Sequence, residues 1–318
     1  MLTRSIILRT SAWPPVERMV RGSRLFRPLV SRFIAGDTLN ESIEASGAVL
    51  EKGIKVTLDY LGENTANEAE ALEAKATYIR MLDRIANVPQ FKEFHPTDKR
   101  LPGDPLNISI KLTQCGLDQG EAFAEKNYRD VLEVASRHGN FVRIDMEASA
   151  YTERTVAMIE RVFPDYQNTG TVLQSYLYRT DDDLERMIAL GARVRLVKGA
   201  YLEPSDVAHP EKEKVDEAYV RQMKRLLEAG FYPALATQDD KIIDEAKRFV
   251  EEKKIDKSRF EFQMLYGIRR DLQEGLVKEG YNVRVYVPFG DAWYPYFTRR
   301  LAERPANIVF IAKSFIKG

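Results

Sequence analysis

Eight times between Lys55 and Gly290, a short apolar run rich in β-branched residues is followed by a longer charged segment. The runs are KVTLDYLG (55–62), NISIKLTQ (107–114), FVRIDMEA (141–148), TVLQSYLY (171–178), RVRLVKGAY (193–201), FYPALATQ (231–238), FEFQMLYG (260–267) and NVRVYVPFG (282–290). Between them, ANEAEALEAKATYIRMLDRIA, EAFAEKNYRDVLEVASRHG, DDDLERMIALG, VDEAYVRQMKRLLEAG, DDKIIDEAKRFVEEKK and RRDLQEGLVKEG carry apolar residues at helical spacing. Several of these end in Gly, the usual helix stop. Strands that alternate with helices pair in parallel, and eight of them are the number that closes a (β/α)8 barrel. The alternative is an open doubly wound sheet, which marks its first turn with glycines. Neither G-x-G-x-x-G nor G-x-x-x-x-G-K-[ST] occurs, so the α/β fold expected is a (β/α)8 TIM barrel.

Residues 46–318 are assigned to the barrel and residues 1–45 to an N-terminal helical segment. Ahead of the first strand, Thr38 and Glu41 have the spacing of a capping box and start a leading helix. A chain of 318 residues, 44% hydrophobic, buries a sizeable core. Its net charge is zero, which gives no general attraction to nucleic acid. One cysteine, Cys115, excludes an intrachain disulfide, and the three histidines lack metal-ligand spacing. No apolar run approaches the roughly 20 residues of a spanning helix. The first 36 residues, by contrast, hold seven arginines and one acid, Glu17. That pattern fits a segment packing beside the domain, a transit peptide or a basic surface helix that touches anionic lipid.

Active sites of such barrels lie at the C-terminal strand ends. Polar residues stand late in every run: Asp59 and Glu63, Lys111 and Gln114, Asp145 and Glu147, Gln174 and Tyr176, Arg195 and Lys198, Thr237 and Gln238, Glu261 and Gln263, Arg284 and Tyr286. Any one of these fits an interior ion pair as well as a ligand contact. Together they describe a charge-balanced pocket for a polar ligand. After the eighth run, WYPYFTRRLAER puts Tyr296, Arg299, Arg300 and Glu303 on one broad helix face. Arg299 is within i,i+4 reach of Glu303, leaving Arg300 to fork onto a ligand carboxylate. A surface salt bridge is the plainer reading of R-R-x-x-E. Two other readings are a lyase with Lys111 or Lys198 as a Schiff-base lysine, and a binding scaffold without turnover.

The runs VTLDYLGE, SIKLTQ, VRIDME, VLQSYLYRT, VRLVKGAY, EFQMLYG, VYVPFG and WYPYFTRRLAER occur in order across residues 50 to 310. In them the chain resembles the monofunctional bacterial proline dehydrogenases, which share a barrel with bifunctional proline utilization proteins. The resemblance implies a distorted barrel that binds FAD, with its last helix over the mouth. It implies that Lys111, Arg299 and Arg300 hold the substrate carboxylate, and that Glu303 partners Arg299. Asp145, Tyr286, Leu265, Ala200 and Tyr201 match residues that shape the proline pocket. Gln174, Arg195, Lys198, Gly199, Ala200, Thr237 and Gln238 match positions along the flavin. One position departs, since Gln238 stands where the family usually has histidine. The implied reaction is oxidation of L-proline to Δ1-pyrroline-5-carboxylate, with electrons passing to a membrane quinone. A pyrroline-5-carboxylate dehydrogenase is the implied functional partner, and a cytoplasmic enzyme in peripheral contact with the inner membrane the implied location.

Overall fold

A computed structural model describes residues 17, 18, 20, 27–88 and 105–303. Eight parallel strands close on themselves in sequence order. They are β1 (Lys55–Tyr60), β2 (Leu106–Ile110), β3 (Val142–Ile144), β4 (Thr169–Gln174), β5 (Arg193–Val197), β6 (Ala234–Ala236), β7 (Glu261–Leu265) and β8 (Asn282–Phe289). The seam is β1 against β8, in register from Lys55 opposite Arg284 to Tyr60 opposite Phe289. All eight expected strands are present, but each ladder is shorter than its sequence run. The polar tails leave the ladder and turn at the mouth, as where Cys115 N–H donates to Lys111 O at 3.1 Å.

Among the described residues, α1 (Arg27–Phe33) and α2 (Leu39–Leu50) precede the barrel. The Thr38–Glu41 capping box forms as expected, each residue bonding the other's backbone. Around the barrel run α3 (Glu68–Ala86), α4 (Glu121–Arg137), α5 (Thr152–Val162), α6 (Thr180–Leu190), α7 (Lys212–Ala229), α8 (Asp240–Glu252) and α9 (Arg270–Lys278), and α10 (Tyr294–Glu303) follows β8. Sequence reading missed α5, whose Thr152, Thr155 and Val156 are weak helix formers. Packing overrides them, because Val156, Met158, Ile159 and Val162 bury one face on the barrel.

The main core lies between the strands and the ring of helices, as with Tyr78, Met81 and Leu82 of α3. A second, smaller core sits at the mouth. There Val20, Phe33, Ile34, Leu61 and Ile268 pack with Tyr294, Tyr296 and Phe297 of α10. The last helix therefore covers the opening, tied down by the N-terminal helices.

The lower barrel interior is charged. Glu261 and Arg284, expected at the mouth, stand at the first position of β7 and the third of β8. A charged residue in a strand does not reveal from sequence which end it occupies. The two form a buried ion pair at 3.0 Å, and Arg284 also donates to Val56 O. Burial alone would raise the Glu261 carboxyl, but Arg284, Arg193 and Lys55 hold it well below the usual range. The Arg193 guanidinium lies 4.2 and 4.6 Å from the ring centroids of Phe141 and Tyr232. Removing one partner of a buried pair strands the other charge. Arg284→Met is therefore expected to destabilise the fold by roughly 3–5 kcal/mol in urea unfolding, with Glu261→Gln/Arg284→Met recovering part of the loss.

Candidate active site

The mouth is built from strand ends. Lys111, one residue past β2, donates to Asp59 of β1 at 2.7 Å, both side chains buried. Burial pushes the Asp59 carboxyl up to about 6 against the pull of Lys111. Burial would lower the Lys111 ammonium, but Asp59, Asp145 and Glu63 outweigh it and hold it protonated. Three carboxylates around Lys111 disfavour the neutral amine that a Schiff base needs. Lys198 sits in ion pairs with Asp216 at 2.5 Å and Asp239 at 2.8 Å.

Asp145, just past β3, receives Arg195 Nη1 from β5 and Tyr286 Oη from β8, both at 2.7 Å. Arg195 also bonds Gln263 of β7 and Ser109 of β2. Its guanidinium lies 5.3 Å from the centroid of the Tyr286 ring. Tyr286 stacks on Tyr296 of α10, centroids 6.4 Å apart at 17°. Arg300 lies over the other ring of that stack, 5.2 Å from Tyr296. A column of two tyrosine rings between two arginines thus joins the barrel to the covering helix.

Arg299 donates to Glu63, beyond β1, at 2.7 Å. The Glu303 side chain, expected to partner it, lies outside the described residues. Burial would lower the Arg299 guanidinium, but Glu63 raises it. Arg299 also approaches the Tyr201 ring at 5.7 Å.

Most of these groups face one cavity of about 1050 Å³. Lys111, Asp145, Tyr286, Leu265, Arg299 and Arg300 line it, and so do Ala200 and Tyr201. Gln174, Arg195, Lys198, Gly199, Thr237 and Gln238 line it as well. Apart from Glu303, every residue that the resemblance singled out meets there, whereas Gln114, Glu147, Tyr176, Glu261 and Arg284 of the strand-end set do not line it. The volume is at the top of the range of small-molecule pockets, roughly 300–1,000 Å³, so it suits a large cofactor beside a small substrate. The sequence reading overlooked Glu17, Asp239 and Lys212, which also line it. Only Glu17 carried a signal, as the lone acid of an arginine-rich stretch.

A family model described as proline dehydrogenase matches residues 43–313. The chain belongs to the proline dehydrogenase family. A proline dehydrogenase of Deinococcus radiodurans is 39% identical, the match covering 100% of this chain and 99% of that one. Proline dehydrogenase 2 of Bacillus subtilis is 40% identical, over the whole of both chains. Among solved structures, proline utilization A of Bdellovibrio bacteriovorus, inactivated by N-propargylglycine, superposes with a TM-score of 0.77 at 27% identity. That match covers 87% of this chain and 32% of the other, so the chain spans about a third of that larger protein. The reaction of the proline dehydrogenase family is the oxidation of proline.

Behind the cavity wall, Glu147 accepts from the N–H and the hydroxyl of Thr113. Burial pushes its carboxyl up to about 7, although Thr113 opposes the shift. An acid whose folded pKa exceeds its unfolded one binds its proton more tightly in the native state. Stability from this group is therefore present below about pH 4.5 and lost as pH rises to about 7. Glu147→Gln keeps the shape without the titration. Its stability relative to the wild type is expected to rise across that window, reaching on the order of 3 kcal/mol by pH 8, as denaturation at several pH values would read.

Proposed function

We propose that this proline dehydrogenase family member oxidises L-proline to Δ1-pyrroline-5-carboxylate with FAD as the bound redox group and a membrane quinone as electron acceptor. The observation that carries this reading is the meeting of three cations, Lys111, Arg299 and Arg300, with the Asp145–Tyr286 pair in one cavity large enough for both ligands.

The residues present fit FAD. Gln174 Oε1 and Gln238 Oε1 are buried acceptors without a protein partner among the described residues. Gly199 has φ +117°, and a Cβ there would strike the Tyr176 ring, so only glycine brings the backbone this close to the cavity. In our reading Gln174, Arg195, Lys198, Gly199, Ala200, Thr237 and Gln238 hold the cofactor. Gln238 supplies an amide where the family usually has histidine. When bound, FAD supplies a two-electron acceptor that no side chain offers.

The chain's own groups bind and orient. Arg299 and Arg300 meet the carboxylate from the covering helix, and Lys111 meets it from the barrel. Leu265, Ala200, Tyr201 and Tyr286 wall the ring. Hydride loss needs the lone pair of the ring nitrogen, and three neighbouring cations favour the neutral amine. Asp145 fixes Arg195 and Tyr286 relative to each other, so the ring wall and the arginine stay in register. The cavity closes under α10, which excludes water from the reacting carbon.

The product passes to a pyrroline-5-carboxylate dehydrogenase in this reading. Among the described residues no helix is long and apolar enough to cross a membrane. The arginines of the first 36 residues support a cytoplasmic enzyme in peripheral contact with an anionic inner-membrane surface.

Purified protein loaded with FAD is expected to show flavin absorbance that bleaches under L-proline without oxygen. A folded, loaded preparation that stays oxidised overturns the reaction. Arg300→Met is expected to raise KM for proline roughly ten- to a hundredfold, the equivalent of a charge-assisted contact of about 1.5–3 kcal/mol. Carboxylate inhibitors that bind the variant as tightly as the wild type would remove Arg300 from the clamp.

A further inference from the structure

Asp59, the fifth residue of β1, lies in the cavity wall and is wholly buried. Lys111 Nζ bonds its Oδ1, while Oδ2 is buried and meets no donor at hydrogen-bond geometry among the described residues. The titratable groups that act on Asp59 are Lys111 past β2, Asp145 past β3 and Tyr286 of β8. Asp59 bears in turn on the Tyr78 hydroxyl of α3. Arg195 reaches Ser109, the β2 residue in register with Asp59, at 3.2 Å. The buried face of α2, which packs on β1, holds Ser42, Ile43 and Ser46 and adds no titratable group.

Asp145 and Glu63, the other acids beside Lys111, each hold a cation of their own, Arg195 and Arg299. Lys111 is therefore the cation that neutralises Asp59. An ammonium has three N–H donors, and one of them goes to Asp59, which leaves two for a ligand in the cavity. A substrate carboxylate that takes them puts a second negative charge on the same lysine. A like charge disfavours the charged form of a neighbouring acid. Asp59 is the acid that solvent cannot relieve, and burial already pushes it up to about 6 against the pull of Lys111.

We propose that Asp59 takes up a proton when a substrate carboxylate engages Lys111, and so keeps within the site the proton that the substrate amine must lose. The inference rests on the proline-oxidising reading of the site. Proline arrives as a zwitterion. One N–H bond of its ammonium breaks and leaves the lone pair on nitrogen, and one O–H bond forms on Asp59. The two changes cancel, so enzyme and substrate together exchange no proton with the bulk. The coupling runs through charge and needs no contact between Asp59 and the amine, because water carries the proton before the mouth closes. Asp59 is thus a positioning residue that acts through Lys111.

Cyclopentanecarboxylate brings the carboxylate without an amine. Its binding to the FAD-loaded enzyme at about pH 7.5 is expected to draw about one proton from solution, counted by titration calorimetry in phosphate and in Tris buffer. Its affinity should weaken about tenfold per pH unit above the free-enzyme value of about 6. Asp59→Asn keeps an acceptor for Lys111 but cannot take a proton. It should show no uptake and an affinity level with pH, and Asp59→Glu should restore both. Turnover gives a second reading. In the wild type, kcat/KM for L-proline should fall below about pH 6 and stay level up to about pH 9. In Asp59→Asn the amine must give its proton to solvent, so kcat/KM should climb about tenfold per pH unit over that range. Binding without proton uptake in the wild type overturns the proposal, and that reading needs no variant to fold. Equal uptake in Asp59→Asn overturns it too, since Asp145 or Glu147 then takes the proton. Absence of proline turnover counts against the reaction alone, because calorimetry reads the coupling without it.

Discussion

Closure of the β1–β8 seam is the constraint on which the rest of the molecule depends. Six residues of β1 pair with β8, from Lys55 to Tyr60. Once the ring is shut, the strands have no free edge and no solvent-facing side. Every polar side chain pointing inward must then find a partner inside or reach the open end. Both solutions appear. At the base Glu261 and Arg284 neutralise each other, and Arg193 is flanked by two aromatic rings. At the mouth Lys111 meets Asp59, and Arg195 meets Asp145.

These two sets have different consequences. The base is buried, and its charges are committed to the chain itself. The mouth groups are committed on one side only, since the cavity takes up the other. Asp145 receives both Arg195 and Tyr286, and from Tyr286 the column of rings and guanidinium groups continues into α10. Arg300 is thereby placed by contacts that run down to β2, β3, β5 and β7. Such a site is built on strands rather than on free loops, which is what precise positioning requires.

The fold was legible because eight apolar runs of similar length alternate with helical spacing, and no other parallel architecture needs that number. The helix over Thr152–Val162 was not legible, since its β-branched residues read as loop until the barrel offers a face to pack on. The site was legible as a set. Lys111, Asp145, Arg195, Tyr286 and Arg300 all stood at strand ends or on the last helix, and the resemblance gave them places. Pairing was harder to read. Helical spacing pointed Arg299 toward Glu303, whose side chain lies outside the described residues, but could not show its bond to Glu63, more than two hundred positions away. Glu261 and Arg284 were misplaced for the same reason: only three-dimensional register tells the base of a barrel from its mouth.

The covering helix raises a last point of physics. A barrel helix normally buries its apolar stripe against the strands, but α10 lies over the opening. Its Tyr294, Tyr296 and Phe297 are buried instead against Phe33, Ile34 and Val20 from the N-terminal part of the chain. That second core is small beside the main one, so the cover is held by far less apolar burial than the barrel beneath it. Elements with fewer buried contacts open at lower free energy than the body they rest on. The cover also carries Arg299 and Arg300, so any ligand that engages both arginines adds to the forces that keep it shut. For such a ligand, binding and closure of the mouth are one equilibrium. The N-terminal helices act in it as the counterpart of α10, because the two share the same few rings.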